Sequence, residues 1–178
     1  MMVTPRSKPN AEAGACLAKR RAARGFTLVE IMVVVVIISV LAAVAVPSVI
    51  RVKRKAVATT VANDLRVFAA AFDTYAHEKG GWPAEAAAGV LPPEMVDRLE
   101  KTAWERVTPI GGHYNWDYKQ THGGVITAVI EISDTASAPV IQDVDLWVAV
   151  DRVMDDGNLN TGNFRIGGDG TPIFIIAP

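Results

Sequence analysis

The hydrophobic positions of this chain follow two patterns, an unbroken apolar run and then an apolar residue at every third or fourth position. The run covers residues 26–46 and contains one charge and neither glycine nor proline. The spacing beyond it places side chains on one face of an α-helix. The residues on that face are Val57, Val61, Leu65, Phe68, Phe72 and Tyr75. Gly80-Gly81 and Trp82-Pro83 end the periodicity, so the pattern predicts a long helix over residues 26–79.

The apolar run is long enough to cross a membrane. Its 21 residues form about 31 Å of helix, against a hydrocarbon core of about 30 Å. Fourteen of them are Val, Ile, Leu or Phe, which together supply about −6 kcal/mol of insertion free energy. Glu30 costs about +3 kcal/mol at most, so insertion is favoured. A buried core helix would need a polar outer face, and residues 31–46 offer only Ser39.

Pro47 directly follows the run and interrupts the hydrogen bonding of the predicted helix. Proline has no backbone N–H, so the carbonyl of Ala43 loses its helical partner. We therefore expect a kink or local melting at this position. Residues 47–81 are then an amphipathic continuation of the helix, and its apolar face forms the spine of a globular domain.

Charge is distributed unevenly along the chain, although the net charge is only −1. Residues 1–25 carry six basic side chains and one acidic one, whereas residues 26–178 carry twelve basic and eighteen acidic ones. A nucleic-acid-binding domain would itself be basic, so this distribution argues against nucleic acid as a partner and favours a targeting segment. The single cysteine, Cys16, lies in that segment, so no disulfide framework or thiol site is available after it.

The basic head and apolar run allow three interpretations: an uncleaved anchor, a secretory signal peptide, or a segment cut at its front edge. Ala43-Val44-Ala45 matches the A-x-A cleavage pattern and favours a signal peptide cut after Ala45. The charge at Glu30 and the length of the run argue against it. A signal peptide also does not need the Gly-Phe pair at the boundary between the charged and apolar segments.

Residues 24–31, Arg-Gly-Phe-Thr-Leu-Val-Glu-Ile, resemble the prepilin processing motif of type IV pilins and of the pseudopilins of type II secretion systems. The resemblance implies that a prepilin peptidase cuts after Gly25 and methylates the new amine of Phe26. A glycine lets the extended peptide enter a tight cleft. Pro47 also stands where this family usually has a proline. Residues 1–25 are then a leader that is removed.

Glu30 is an ionisable group in a membrane segment, which is costly and indicates a function. The resemblance implies that it pairs with the methylated amine of Phe26 on a neighbouring subunit during filament assembly. Such pairing satisfies both charges and penalises any packing register that leaves Glu30 alone.

Residues 82–178 predict a small α+β domain after the long helix. Expected helices cover residues 91–101 and 143–154, the second capped by Asp143. A turn cluster occupies residues 108–112, and a hairpin turn occupies residues 167–170. Three strands are expected, at residues 113–118, 125–132 and 173–176, and the hairpin turn follows residues 164–166. One long N-terminal helix packed on a small C-terminal antiparallel sheet also matches the pilin architecture.

The segment Asp155–Gly162 is the remaining chemical candidate. Asp156, Asn158 and Asn160 stand at positions 1, 3 and 5 of a calcium loop, but Thr161 replaces its glycine and no acidic residue closes it. The residues alone favour a polar turn that caps the preceding helix. Major pseudopilins carry a calcium site in their C-terminal region, so the resemblance implies Ca²⁺ as a cofactor here. Asp151 and Asp155 are the candidate additional ligands.

The sequence contains no catalytic arrangement, which predicts a protein that is not an enzyme. His77, His113 and His122 form no H-E-x-x-H pair, and there is no G-x-S-x-G motif. The glycines at residues 167–170 precede a strand, the wrong context for a dinucleotide site. The four tryptophans all follow the apolar run and are expected in the domain core.

The resemblance therefore implies a structural subunit of a pilin-like filament. The absence of cysteine after residue 25 and the acidic loop favour the major pseudopilin of a type II secretion system over a type IV pilus subunit or minor pilin. Its implied partners are copies of itself, a prepilin peptidase and methylase, other pseudopilins, the inner-membrane assembly platform and the membrane. The implied location is the inner membrane, single-pass, with the N-terminus cytoplasmic and the C-terminal domain periplasmic, and then a periplasmic or surface filament.

Two interpretations of other classes stay open from the residues. One is an exported soluble binding or enzymatic domain whose mature chain begins at Val46. The other is a monomeric membrane-anchored calcium-binding module that keeps the anchor of residues 26–46 and forms no filament.

Overall fold

The structure is a computed structural model that describes residues 25–122 and 125–177. Except for Gly25, the predicted leader lies outside these residues. The chain divides into two units, the first ending at Ala42 and the second beginning at Ala43. Helix α1, Leu28–Lys79, begins in the first and continues into the second, which confirms the long helix predicted from the apolar pattern.

The described part of the first unit, residues 25–42, is exposed at every position. Exposed apolar surface of this extent needs an apolar environment from outside the chain. Within the part of the chain that the structure describes, α1 is the one helix whose length and composition would let it cross a membrane.

Pro47 lies inside α1, and the helix is continuous through it. Local melting, one of the two expected effects of this proline, is therefore not observed. The kink stays a prediction.

The part of α1 in the second unit forms the spine of the domain, as its periodicity predicted. Its buried residues are Ala58, Val61, Ala62, Leu65, Phe68 and Phe72, and Val57 and Tyr75 are partly buried against the same core. The helix ends where the N–H of Gly80 donates to the carbonyl of Ala76, at a φ of +71° that glycine adopts without strain.

The C-terminal sheet has four antiparallel strands in the order β1-β2-β4-β3. The strands are β1 (His113–His122), β2 (Val125–Ser133), β3 (Phe164–Ile166) and β4 (Pro172–Ala177). Strands β1, β2 and β4 were predicted, although β1 continues four residues beyond the expected end at Tyr118, and β3 is the segment expected to precede the hairpin turn. The hairpin turn between β3 and β4 is confirmed, so the α+β class holds.

One face of the sheet packs on α1 through aromatic side chains. Phe72 stacks on Trp116 with ring centroids 4.1 Å apart. Phe68 meets Tyr114 edge to face at 4.9 Å and Trp104 at 5.0 Å. Three of the four tryptophans are buried and Trp82 packs against them, so the tryptophans lie in the core as expected.

The single helix predicted over residues 91–101 is wrong. The structure has a 3₁₀ turn at Pro93–Met95 and a separate short helix α2, Lys101–Glu105. Glu100 adopts an extended conformation between them, with ψ of 114°. Leu91, Met95 and Leu99 have helical spacing and are buried. Their apolar spacing therefore indicated which side chains are buried, but it did not indicate a continuous helix.

Helix α3, Val144–Met154, confirms the second predicted helix and its cap, because Asp143 Oδ1 accepts a hydrogen bond from the N–H of Leu146 at 3.2 Å. The predicted turn before β1 needs glycine at residue 111. Its φ is +79°, and a Cβ there would lie 2.2 Å from the carbonyl oxygen of Pro139.

Candidate functional site

The predicted processing site lies just before α1. Phe26 is exposed, with 79% of its surface accessible. A Cβ placed on Gly25 would meet no atom within 4 Å, and its φ is not in the left-handed region. Packing among the residues that the structure describes therefore does not account for this glycine.

Glu30 lies in the first turn of α1 and forms a reciprocal cap with Thr27. Its Oε2 accepts hydrogen bonds from the N–H of Thr27 at 2.9 Å and from Thr27 Oγ1 at 2.8 Å. The N–H of Glu30 donates to Thr27 Oγ1 at 3.2 Å. This is the capping box, whose T-x-x-E signal is visible in the sequence. It fixes an exposed carboxylate at the positive end of the helix dipole, at the start of the apolar segment.

The acidic loop after α3 is closed by its own hydrogen bonds. Asp155 Oδ2 accepts from the N–H groups of Asn163 at 2.7 Å and Phe164 at 2.9 Å. Asp156 accepts from the N–H of Asn158 and from Thr161 Oγ1, both at 2.8 Å. Asn158 Oδ1 accepts from the N–H and the side-chain amide of Asn160, both at 3.3 Å. These bonds are those of a polar turn following a helix, the interpretation that the residues alone favoured.

Asp151, on α3 beside this loop, is fully buried, and neither of its carboxylate oxygens makes a hydrogen bond. Burial raises its pKa above the ordinary value, and the negative charges of Asp156 and Asp155 raise it further. The backbone N–H groups of Gly157 and Asn158 act in the opposite direction without reaching hydrogen-bond geometry. A buried carboxylate without a partner is costly, and a cation bound beside it would remove that cost.

The five candidate calcium ligands are thus close in the fold but do not form one ligand shell. Across residues 25–122 and 125–177, no three acidic, histidine or cysteine side chains converge in a way that could hold a metal ion. Asp155 uses Oδ2 and Asp156 uses both carboxylate oxygens for hydrogen bonds within the loop, whereas neither oxygen of Asp151 makes a hydrogen bond. The oxygen donors suit calcium, and the orphaned Asp151 is the feature that fits a bound ion.

A second acidic cluster, absent from the sequence-based prediction, lies on the sheet face opposite α1. Asn115 pairs with Glu131 across β1 and β2, and Asp117 lies two residues along the same face. Thr171 Oγ1 lies within hydrogen-bond distance of both Glu131 Oε1 and Asp169 Oδ1 and can donate its one hydrogen to either. Asn115 Nδ2 donates to Asp117 Oδ1 at 2.9 Å. Burial, followed by the hydrogen bond with Asp169, raises the pKa of Glu131 to about 7. The local sequence feature that could have indicated this cluster is the position of Glu131 between Ile130 and Ile132.

This pKa predicts the pH dependence of a Glu131→Gln variant. Above about pH 4.5 the unfolded glutamate loses its proton, whereas the folded one keeps it until about pH 7, so the native chain loses stability across that window. Glutamine mimics the protonated side chain. Its free energy of unfolding relative to the native chain should therefore rise by about 1 to 3 kcal/mol between pH 4.5 and 8 in urea titrations.

The matched control is Glu94→Gln, which removes one carboxylate from an exposed position. An equal pH-dependent gain in this variant would contradict the assignment to Glu131.

Comparisons with known proteins agree with the processing motif. A family model described as the prokaryotic N-terminal methylation motif matches residues 20–46. The "Type II secretion system core protein G" of Pseudomonas aeruginosa is 44% identical over 66 residues, 37% of this chain and 46% of that relative, so less than half of it is spanned. The protein of that name from Klebsiella michiganensis is 31% identical over 122 residues, 60% of this chain and 82% of the relative. The one from Dickeya chrysanthemi is 28% identical over 158 residues, 80% of this chain and 98% of the relative. No solved structure matches this chain at the level of statistical significance that these relatives reach.

Proposed function

Because the chain belongs to the family of the type II secretion system core protein G, we propose that it is the major pseudopilin of such a system, a structural subunit that assembles into a filament and catalyses no reaction. The observation that carries the proposal is the exposed apolar start of α1, with Gly25-Phe26 directly before it and Glu30 in its first turn. An apolar surface of that kind can be buried in a membrane and then against neighbouring copies of the same helix.

The proposed processing is a cut after Gly25 by a prepilin peptidase, followed by methylation of the amine of Phe26. The surroundings of Gly25 support it, since no atom of the described residues lies within 4 Å of the position of its missing Cβ. Before assembly the subunit is held in the inner membrane by residues 26–46, with its N-terminus in the cytoplasm and its C-terminal domain in the periplasm. Charge alone gives only a modest preference for this orientation. Six basic residues precede the run within residues 1–25, and four follow it within residues 51–55.

Assembly places the carboxylate of Glu30 against the methylated amine of Phe26 on a neighbouring copy. Two different surfaces then meet at each contact, and such heterologous packing forms an open filament when the rotation does not close. Other pseudopilins and the inner-membrane assembly platform complete the proposed set of partners.

The experiment that tests this function is the N-terminal sequence and intact mass of the protein purified from its native membranes. A chain that starts at Phe26 and carries one added methyl group supports the proposal. A start at Val46 would contradict it, because a signal peptide cut after Ala45 removes Glu30 and all of the apolar run except Val46.

We also propose that Asp151, Asp155, Asp156, Asn158 and Asn160 hold a calcium ion. Calcium would supply positive charge to the buried Asp151 and tie the loop to α3. Saturation at a hundredfold excess over the dissociation constant should raise the free energy of unfolding by about 2.7 kcal/mol, measured against a chelated sample.

Asp151→Asn should abolish this calcium response and, in chelator, be more stable than the native chain because its buried group is neutral. Asp145→Asn, an exposed change on the same helix, should keep the response. Equal responses in the two variants, or none in the native chain, would contradict the site.

A further inference from the structure

A basic pocket of about 510 Å³ lies within the second unit, between the part of α1 after Pro47 and helix α3. Its cationic lining comes from both helices. The cationic residues are Arg51, Arg54 and Lys55 of α1 and Arg152 of α3. One carboxylate, Asp145, shares the pocket wall.

The positive charge of this pocket is only partly neutralised. Arg54 pairs with Asp143 at 3.1 Å and with Asp145 at 3.0 Å, which fixes its guanidinium against the start of α3. Within the described chain, the other three cations have no carboxylate at ion-pair distance. Like charges that line one concave surface repel each other and raise the local concentration of anions, so the pocket is suited to an anion.

The floor of the pocket is apolar. Val148 and Val153 of α3 line it and pack against the domain core. A cationic rim over an apolar floor fits an amphiphile, in which a phosphate group is joined to a less polar portion, better than it fits a free hydrated ion.

If residues 26–46 fill the hydrocarbon core, the basic residues of α1 that line the pocket are among the first to follow the core along the chain. Arg51 is five residues beyond Val46, a rise of about 8 Å, and Lys55 is one further turn away. The headgroup region adds about 5 to 8 Å to each side of the hydrocarbon core. Long basic side chains reach several ångströms along the helix axis, so both can meet a phosphate at that level.

We propose that this pocket binds the phosphate of an anionic phospholipid headgroup. The proposal rests on the proposed function, because it requires a chain anchored in the membrane through residues 26–46. The bound lipid holds the domain to the bilayer surface before assembly, and a subunit that leaves the membrane for the filament has to release it.

The test uses the full-length processed chain in mild non-ionic detergent, titrated with dihexanoylphosphatidylglycerol and followed by native mass spectrometry. Saturable binding is expected, with weaker binding of dihexanoylphosphatidylcholine and of inorganic phosphate. Lys55→Gln and Arg152→Gln should each weaken phosphatidylglycerol binding about fivefold. The matched control is Lys53→Gln, which removes the same charge two residues away on the same helix from a side chain outside the pocket, and it should change binding less than about twofold.

Four results would overturn the proposal. Equal weakening by Lys53→Gln and Lys55→Gln would indicate general attraction to a charged surface and no site. Equal affinity for phosphatidylglycerol and phosphatidylcholine would mean that the charge of the lipid does not contribute to binding. Equal affinity for phosphatidylglycerol and inorganic phosphate would indicate a site for free anions. Unchanged lipid binding in Lys55→Glu and Arg152→Glu chains that no longer form filaments would assign the pocket to an acidic surface of a second copy.

Unfolding midpoints of the variants show whether a loss of binding reflects a loss of fold. Failure of the proposed function has a separate signature, since a chain starting at Val46 would lack the anchor. Failure of the lipid site leaves the start at Phe26 and the membrane anchoring unchanged.

Discussion

Glu30→Gln is expected to leave cleavage and methylation at Phe26 intact and to reduce filament formation at least about tenfold. Removing one partner of a buried ion pair costs about 3 to 5 kcal/mol, because the remaining charge is left unpaired in an apolar core. Here the remaining charge would be the amine of the neighbouring subunit. Filament amounts are measured by shearing and sedimentation, and processing by intact mass.

This substitution separates two roles of the same side chain. Glutamine can still complete the capping box with Thr27, so the helix start survives while the charge is lost. Thr27→Val is the matched control, since it removes the cap and keeps the carboxylate. If Thr27→Val blocked assembly as strongly as Glu30→Gln, the cap would be the important feature and the proposed ion pair would be wrong.

Phe72→Ala is expected to lower the free energy of unfolding of the domain by about 3 to 5 kcal/mol. Phe72 is fully buried, stacks on Trp116 and also meets Trp104 at 5.4 Å, so it joins α1 to both the sheet and α2. Because domains of this kind are stable by about 5 to 15 kcal/mol, the variant should lose a large part of its stability. Urea titration followed by tryptophan fluorescence measures the loss.

Val67→Ala is the control for the same helix. Its side chain is 60% exposed, so the substitution should change the free energy of unfolding by less than about 0.5 kcal/mol. A cost below about 1 kcal/mol for Phe72→Ala would mean that this ring does not join the helix to the sheet.

Local sequence signals were sufficient for the elements whose cause is local. The apolar run and the burial period from Val57 to Tyr75 predicted α1, and Asp143 was correctly placed as the cap of α3. The prediction of a short helix over residues 91–101 was wrong because turns can bury Leu91, Met95 and Leu99 at the same spacing as a helix. Only the tertiary fold decides between the two.

Features that join distant residues could not be predicted from the sequence. The cluster of Glu131 and Asp169 depends on the register of β2 against β4, and the basic pocket brings Arg54 and Arg152 together across about a hundred residues. Asp151 was a candidate ligand from its position, but its complete burial without a hydrogen bond is a property of the packing around α3. The electrostatic features of this protein are therefore mostly non-local.

The order of strands sets the sequence of events by which the domain can fold. Strand β4 hydrogen-bonds to both β2 and β3, yet it follows both of them along the chain. The β1–β2 hairpin is local and can form early, whereas closure of β2 against β4 joins residues more than forty apart and is expected to be slow. During synthesis one edge of β2 stays open until residues 172–177 have emerged, and during that interval the chain is most exposed to proteases and to aggregation.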